Sequence, residues 1–255
     1  MSVLWFVGLG LDDERGLSRR ALEVLRASEV FAEEYTAVAS PGTLERLARE
    51  LGRPVRKLDR EAVEGETELL RALARSPQVA LLVVGDPFAA TTHVALRLAA
   101  ERVGHAWRYL PNASILVAAA GFLGLSPYRF GRIVSLPFPA PGFAPRSPVE
   151  QIAENRAREL HTLVLLDLAP GAGRFLLAGE ALALLRERDP AAKAFGEDDA
   201  VAVAARVGRD DAAGFFGPVH RLRSADFGPP LHTVIVPAAR LHFEETAAIA
   251  RFLVR

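Results

Sequence analysis

The sequence predicts an α/β protein in two halves, and three observations carry that expectation. Short apolar runs alternate with amphipathic stretches through the first half. The run VALLVV, Val79–Val84, is apolar at every position, as a strand covered on both faces is. A proline-dense stretch then precedes a second series of strands and helices, with five prolines in the twelve residues Pro137 to Pro148.

The elements follow in order. Val3–Val7 reads as the first strand and ends in Gly8-Leu9-Gly10. Ser18–Ala27 carries Leu22 and Leu25 at helical spacing, and Val30–Ala32 is a short strand. Ser40-Pro41 reads as an N-cap followed by Pro at the first helical position, and Gly52 closes that helix. Val55–Leu58 and Ala106–Leu110 are strands, while Val94–Arg102 and Ser114–Ala120 are helices. The second half offers a helix at Val149–Glu159, a strand at Thr162–Leu168 and a helix near Glu180–Arg188. Strands at Ala200–Ala205 and Thr233–Val236 and a final helix from Phe243 to Leu253 complete it. The expected domains are 1–136 and 137–255, with a stiff linker at 137–148.

Composition narrows the classes. Half of the 255 residues are hydrophobic, enough for a sizeable core. The 31 basic and 31 acidic residues give a net charge of zero, which argues against a nucleic-acid binder. There is no cysteine, so disulfides, zinc–thiolate sites and cysteine nucleophiles are excluded and a cytoplasmic setting is expected. No apolar run reaches the roughly 18 residues that a membrane span needs. The apolar N-terminus has no basic n-region and reads as a strand rather than a signal peptide.

Few segments suggest chemistry. Gly8-Leu9-Gly10 after a strand resembles the start of a dinucleotide fingerprint, but Asp13 stands where the third glycine belongs. Asp12, Asp13 and Glu14 would repel a pyrophosphate there, leaving a tight turn that lets a ligand approach the backbone. In GDPFAATTH, Gly85–His93, Pro87 stiffens the turn and Asp86 sits where open α/β sheets present their ligands. Two roles stay open for Asp86: a ligand contact, or a cap on backbone N–H groups. Thr91 and Thr92 are candidate caps for the helix that follows. The six histidines show no metal-ligand spacing and no G-x-S-x-G elbow exists, so neither a metal site nor that hydrolase class is expected. His161 and His232, each beside a strand start, read first as structural.

Taken together, FVGLGL, AEEYTA, GDPFAATTH, NASILVAAAGFLGLSPYRFG, LHTLVLLDL and HTVIVPAARLH resemble the diphthine synthase family. That family lies within the tetrapyrrole methylase superfamily of S-adenosylmethionine-dependent methyltransferases. The resemblance runs over essentially the whole chain, and GDP-x-x-ATTH is its most specific element. It implies two α/β domains of the tetrapyrrole methylase type, with the cofactor in the cleft between them, and a homodimer. It also implies N-methylation, to a trimethyl product, of the aminocarboxypropyl group on a modified histidine of translation elongation factor 2, a step towards diphthamide. The cofactor residues it implies are Leu11, Asp86, Ala89, Ser114, Ile115, Leu166, Val207 and His232. His93, which ends the most specific motif, is a candidate to orient the substrate carboxylate. Tyr35, Phe88, Tyr128 and Phe130 are candidate aromatic faces for the methylated cation. The family's Thr-Ser is Thr36-Ala37 here, so no hydroxyl role exists at 37. The alternatives are a corrin-precursor methyltransferase of the same superfamily and a non-catalytic regulator that binds cofactor or partner.

Overall fold

The computed structural model describes residues 2–65 and 67–254. The chain divides into two compact units, one up to Ile115 and the other from Leu116 onward.

The first unit holds β1 (Val3–Gly10), α1 (Arg19–Ala27), β2 (Glu29–Glu33), α2 (Thr43–Leu51) and β3 (Val55–Leu58), followed by α3 (Arg60–Glu64), α4 (Thr67–Arg75), β4 (Gln78–Val84), α5 (Val94–Arg102) and β5 (Ala106–Leu110). All four strand pairings are parallel, in the order β3-β2-β4-β1-β5. Strand alternation divides the core between two faces. Val7, Leu9, Ala80, Leu82 and Val84 pack with Ala21 and Leu25 of α1 and Leu44 and Leu47 of α2. Leu4, Phe6, Leu81 and Val83 pack with Leu69 and Leu73 of α4 and Leu96 of α5. This explains the unbroken apolar reading of Val79–Val84, all of which is buried. From β1 the chain moves towards β2, and from β4 it moves the opposite way to β5. Adjacent strands whose continuations diverge in this way define the switch point at which open sheets bind ligands.

Ser40 does not cap α2. The helix begins at Thr43 behind Gly42 at φ 78°, and the Ser40 hydroxyl binds Asp12 instead. The acidic run is likewise structural: Asp13 accepts the Arg15 N–H at 3.0 Å, and Glu14 accepts from Arg46 Nε at 2.6 Å.

The second unit takes in α6 (Ile115–Leu123, entered across the division), β6 (Val134–Leu136), α7 (Ser147–Ala157), β7 (Thr162–Leu166), β8 (Leu168–Ala169) and β9 (Arg174–Phe175). After them come α8 (Ala178–Arg188), β10 (Ala200–Ala205), β11 (Ala213–Pro218), α9 (Val219–Leu222), β12 (His232–Val236) and α10 (Phe243–Ile249). The main sheet runs β11-β10-β12-β7-β6 and is parallel only between β6 and β7. Val164, Val201, Val203, Val234 and Val236 face Ile152, Leu182, Leu185 and Phe195 in its core. The division falls about twenty residues before the expected 136/137 boundary, because β6 pairs with β7. The proline-rich stretch therefore lies within the second unit, running from the end of β6 into the first turn of α7.

A buried carboxylate ties three segments of this unit. Glu245 in the first turn of α10 accepts the Ser126 and His242 N–H groups, each at 2.9 Å, and the His161 Nε2–H at 2.9 Å. Arg129 closes an ion pair on it. His161 Nδ1 accepts the Ala238 N–H at 2.9 Å, so the ring is neutral, and burial lowers its pKa. Burial pushes the Glu245 carboxyl up, but the hydrogen bonds from His242, Ser126 and His161 outweigh that and bring it from 4.5 to about 2. A carboxyl lowered in the fold stabilises above its unfolded pKa, and that stability is lost as pH falls towards the folded value. Glu245→Gln should therefore destabilise the protein at pH 7 by about 1–3 kcal/mol. Urea denaturation across pH should show the gap to wild type narrowing as pH drops from 4.5 towards about 2.

Candidate functional site

The carboxyl ends of β1, β4 and β5 are held by backbone chemistry that only certain residues allow. Gly10 and Gly85 exchange two hydrogen bonds, Gly85 N–H to Gly10 O at 2.7 Å and Gly10 N–H to Gly85 O at 3.2 Å. Both lie at positive φ, 87° and 80°, which favours glycine. Asn112 drops into the space beside Gly8, where a Cβ would stand 2.6 Å from Asn112 Cβ and 2.8 Å from Gly85 O. From there its amide donates to Gly8 O at 2.9 Å and Gly16 O at 3.0 Å, and its Oδ1 accepts the Ala113 N–H at 2.8 Å.

Asp86 completes this knot. Only 9% exposed, it accepts the Phe88 N–H at 3.0 Å, the Tyr109 hydroxyl at 2.5 Å and the Asn112 N–H at 3.2 Å. It thus joins its own turn to β5 and to the loop before α6. Burial, with the Asp86 acceptor behind it, pushes the Tyr109 hydroxyl's pKa up.

Leu11, Asp86, Ala89, Ser114 and Ile115 all fall on these turns, beyond β1, β4 and β5 or at the entry to α6. Leu166, Val207 and His232 share one end of the second unit's main sheet. Leu166 ends β7, Val207 follows the end of β10, and His232 opens the antiparallel β12 opposite Ala205. His232 Nδ1 accepts the Ala178 N–H at 3.3 Å and its Nε2–H donates to Pro229 O at 3.1 Å. Burial lowers its pKa and keeps the ring neutral. The neighbouring Arg206, at φ 51°, sends its guanidinium to the carbonyls of Phe227 at 2.8 Å, Pro229 at 2.5 Å and Asp211 at 3.2 Å. Arg206 therefore fixes the turns on both sides of Val207 and His232, which no local sequence signal announces.

His93 lies inside the protein, 1% exposed, with Nδ1 2.7 Å from Pro87 O. Thr91 donates to Pro87 O at 2.6 Å, and α5 starts behind His93 with no side-chain cap, so the threonines do not take the capping role. Phe88 is enclosed by Phe6 at 4.8 Å, Tyr109 at 5.0 Å and Trp107 at 6.4 Å between ring centroids. Phe130 packs on His161 at 5.1 Å. Tyr128 is 97% exposed, and Tyr35 is half-buried. Among the described residues no group of three His, Asp or Glu could hold a metal.

These residues suit an S-adenosylmethionine site. On its side-chain face Gly85 has no atom nearer than Ala113 O at 3.9 Å, which leaves room against the backbone. Asp86, on the turn after β4, supplies a carboxylate matched to a cationic ligand.

The fold and these turns define a protein of two α/β units, each of which gathers loops at one end of its main sheet. Residues 3–222 match the family described as tetrapyrrole (corrin/porphyrin) methylases. The chain is 40% identical over 248 residues to a diphthine synthase of Methanothermobacter thermautotrophicus, covering 95% of this chain and 92% of that one. It is 37% identical over 250 residues to a diphthine synthase of Methanococcus maripaludis, covering 97% of each. A solved diphthine synthase structure superposes with a TM-score of 0.88 at 36% identity, covering 99% of this chain and 96% of that one. A solved chain from Entamoeba histolytica reaches 0.91 at 31% identity over all of both chains. The chain belongs to the tetrapyrrole methylase family, on its diphthine synthase branch.

Asp86→Ala leaves the Tyr109 hydroxyl and two N–H groups without their acceptor. It should lower folding stability by about 1–3 kcal/mol, measured by urea denaturation, in addition to any loss of ligand affinity.

Proposed function

We propose that the chain transfers methyl groups from S-adenosylmethionine to the amine of the aminocarboxypropyl group on a modified histidine of elongation factor 2. The observation that carries this reading is near full-length similarity to diphthine synthases at 37–40% identity. The knotted turns at Gly10, Gly85, Asp86 and Asn112 support it. S-adenosylmethionine supplies an already activated methyl group on a sulfonium.

The protein's task is then alignment of amine, carbon and sulfur, which accounts for most of the acceleration in such a transfer. Leu11, Asp86, Ala89, Ser114 and Ile115 are the first unit's contribution to cofactor binding, and Leu166, Val207 and His232 the second's. Because the His232 nitrogens are both engaged, it contributes its main chain and ring face. The amine must be neutral to accept a methyl group, and a quaternary nitrogen has no lone pair left, so transfer ends at trimethyl. The protein acts as a homodimer in the cytoplasm.

S-adenosylhomocysteine should bind in calorimetry without added metal, and no binding at millimolar ligand overturns the assignment. Labelled cofactor with unmethylated elongation factor 2 should give a mass gain of up to three methyl groups on the modified histidine. Transfer to a corrin precursor instead would assign the other branch of the family, and binding without transfer would indicate a regulator. Light scattering should give a dimer, and a mass near 27.5 kDa would contradict it.

A further inference from the structure

A buried acid–imidazole pair lies behind a half-buried tyrosine at the carboxyl end of the first unit's sheet. Glu33 ends β2 and is 1% exposed, as is His93 at the close of the turn after the neighbouring β4. Glu33 Oε2 accepts the N–H groups of Tyr35 at 2.9 Å and Thr36 at 3.1 Å, and its Oε1 accepts the Thr36 hydroxyl at 2.5 Å. His93 Nδ1 faces Pro87 O at 2.7 Å. A carbonyl cannot donate, so Nδ1 carries the proton and Nε2 presents its lone pair. That lone pair meets the Tyr35 hydroxyl at 3.4 Å, and Glu33 Oε1 stands 3.7 Å from the same nitrogen.

We propose that Tyr35 is the proton acceptor for the methyl-accepting amine, with His93 as the store for the proton and Glu33 as the charge that makes the store favourable. This rests on the methyltransferase reading above. An ammonium N–H bond breaks as an O–H bond forms on Tyr35. Tyr35's own O–H breaks as an N–H bond forms at His93 Nε2. The amine keeps the electron pair it needs, and the imidazolium lies beside a buried carboxylate with its other N–H still on Pro87 O. The proton passes back through Tyr35 to solvent before the next round. Each of three rounds begins with a cation that must lose a proton, so one relay serves all of them.

The surroundings agree. Burial raises the Tyr35 pKa, with Glu33 and Glu64 adding to it and Thr92 and Arg60 opposing, so the phenol keeps its proton as the relay requires. The Arg60 guanidinium covers the ring face at 5.6 Å, which leaves the hydroxyl as the working end of this side chain. His93 is then a positioning residue that acts through Tyr35, and the side chain that ends GDPFAATTH has a task compatible with its burial.

The test is Tyr35→Phe, assayed with labelled cofactor and unmethylated elongation factor 2 from pH 6.5 to 9.5. A free α-amine titrates near 8, so about a tenth is neutral at pH 7. The variant should lose about 10-fold in kcat at pH 7 and converge on wild type above pH 9, with S-adenosylhomocysteine affinity unchanged in calorimetry. Nitrogen-15 NMR of the histidines should show His93 protonated at Nδ1, with its Nε2 resonance moved by the substitution. An unchanged kcat at pH 7, a loss of equal size at every pH, or an Nε2-protonated His93 overturns the relay. A wild-type protein that binds S-adenosylhomocysteine but transfers no methyl group overturns the reaction assignment and the relay with it.

Discussion

The exchange of hydrogen bonds between Gly10 and Gly85 is the constraint on which the first unit's strand ends depend. Strands in a twisted parallel sheet diverge beyond their carboxyl ends, and here the chain also leaves β1 and β4 in opposite directions. A backbone bridge at that point requires positive φ on both sides, and glycine meets this at little cost. Once the bridge is made, the bare face of Gly8 becomes the seat of Asn112, and Asn112 brings the loop after β5 to Asp86. Three segments far apart in sequence, at Gly8–Gly10, Gly85–Asp86 and Asn112, thus form one rigid arrangement.

The second unit reaches the same end by different means. Its main sheet is largely antiparallel, and its loops are gathered by side chains rather than by glycine backbone. Arg206 collects three carbonyls and Glu245 collects two N–H groups and an imidazole. Both are buried charges whose partners are specified atom by atom, which favours one arrangement of the loops over its neighbours.

Much of the architecture was legible because strand period and burial coincide. Val79–Val84 could be read without ambiguity because both of its faces are covered. The pattern failed where tertiary pairing decides. β11 is an edge strand containing Gly214 and Gly217 and ending in Pro218, and its place is set by β10 and by the segment around Leu253. The two-residue strands β8 and β9 are too short for any periodicity. Ser40 is a good cap by composition, yet Asp12, 28 residues away, claims its hydroxyl. At the site, Asp86 proved legible as a residue of the strand-end turn, but its partner Tyr109 did not, since a tyrosine on an edge strand carries no local mark. Phe88 stood out as a turn aromatic because nothing in its neighbourhood reveals Phe6 beneath it. The links from Glu33 to His93 and from Arg206 to Pro229 join loops that only the fold brings together.

His232 adds an electrical consequence. With Nδ1 taken by the Ala178 N–H and Nε2–H by Pro229 O, its imidazole has no vacant nitrogen at which to gain or lose a proton without breaking a contact. Burial moves its titration further below neutrality. The strand end formed by Leu166, Val207 and His232 therefore keeps a constant charge across the cellular pH range, although it contains the residue type most given to switching. A ligand bearing a fixed positive charge would meet the same field there whatever the acidity, and a pH response at this strand end must originate in groups other than His232 or in the ligand itself.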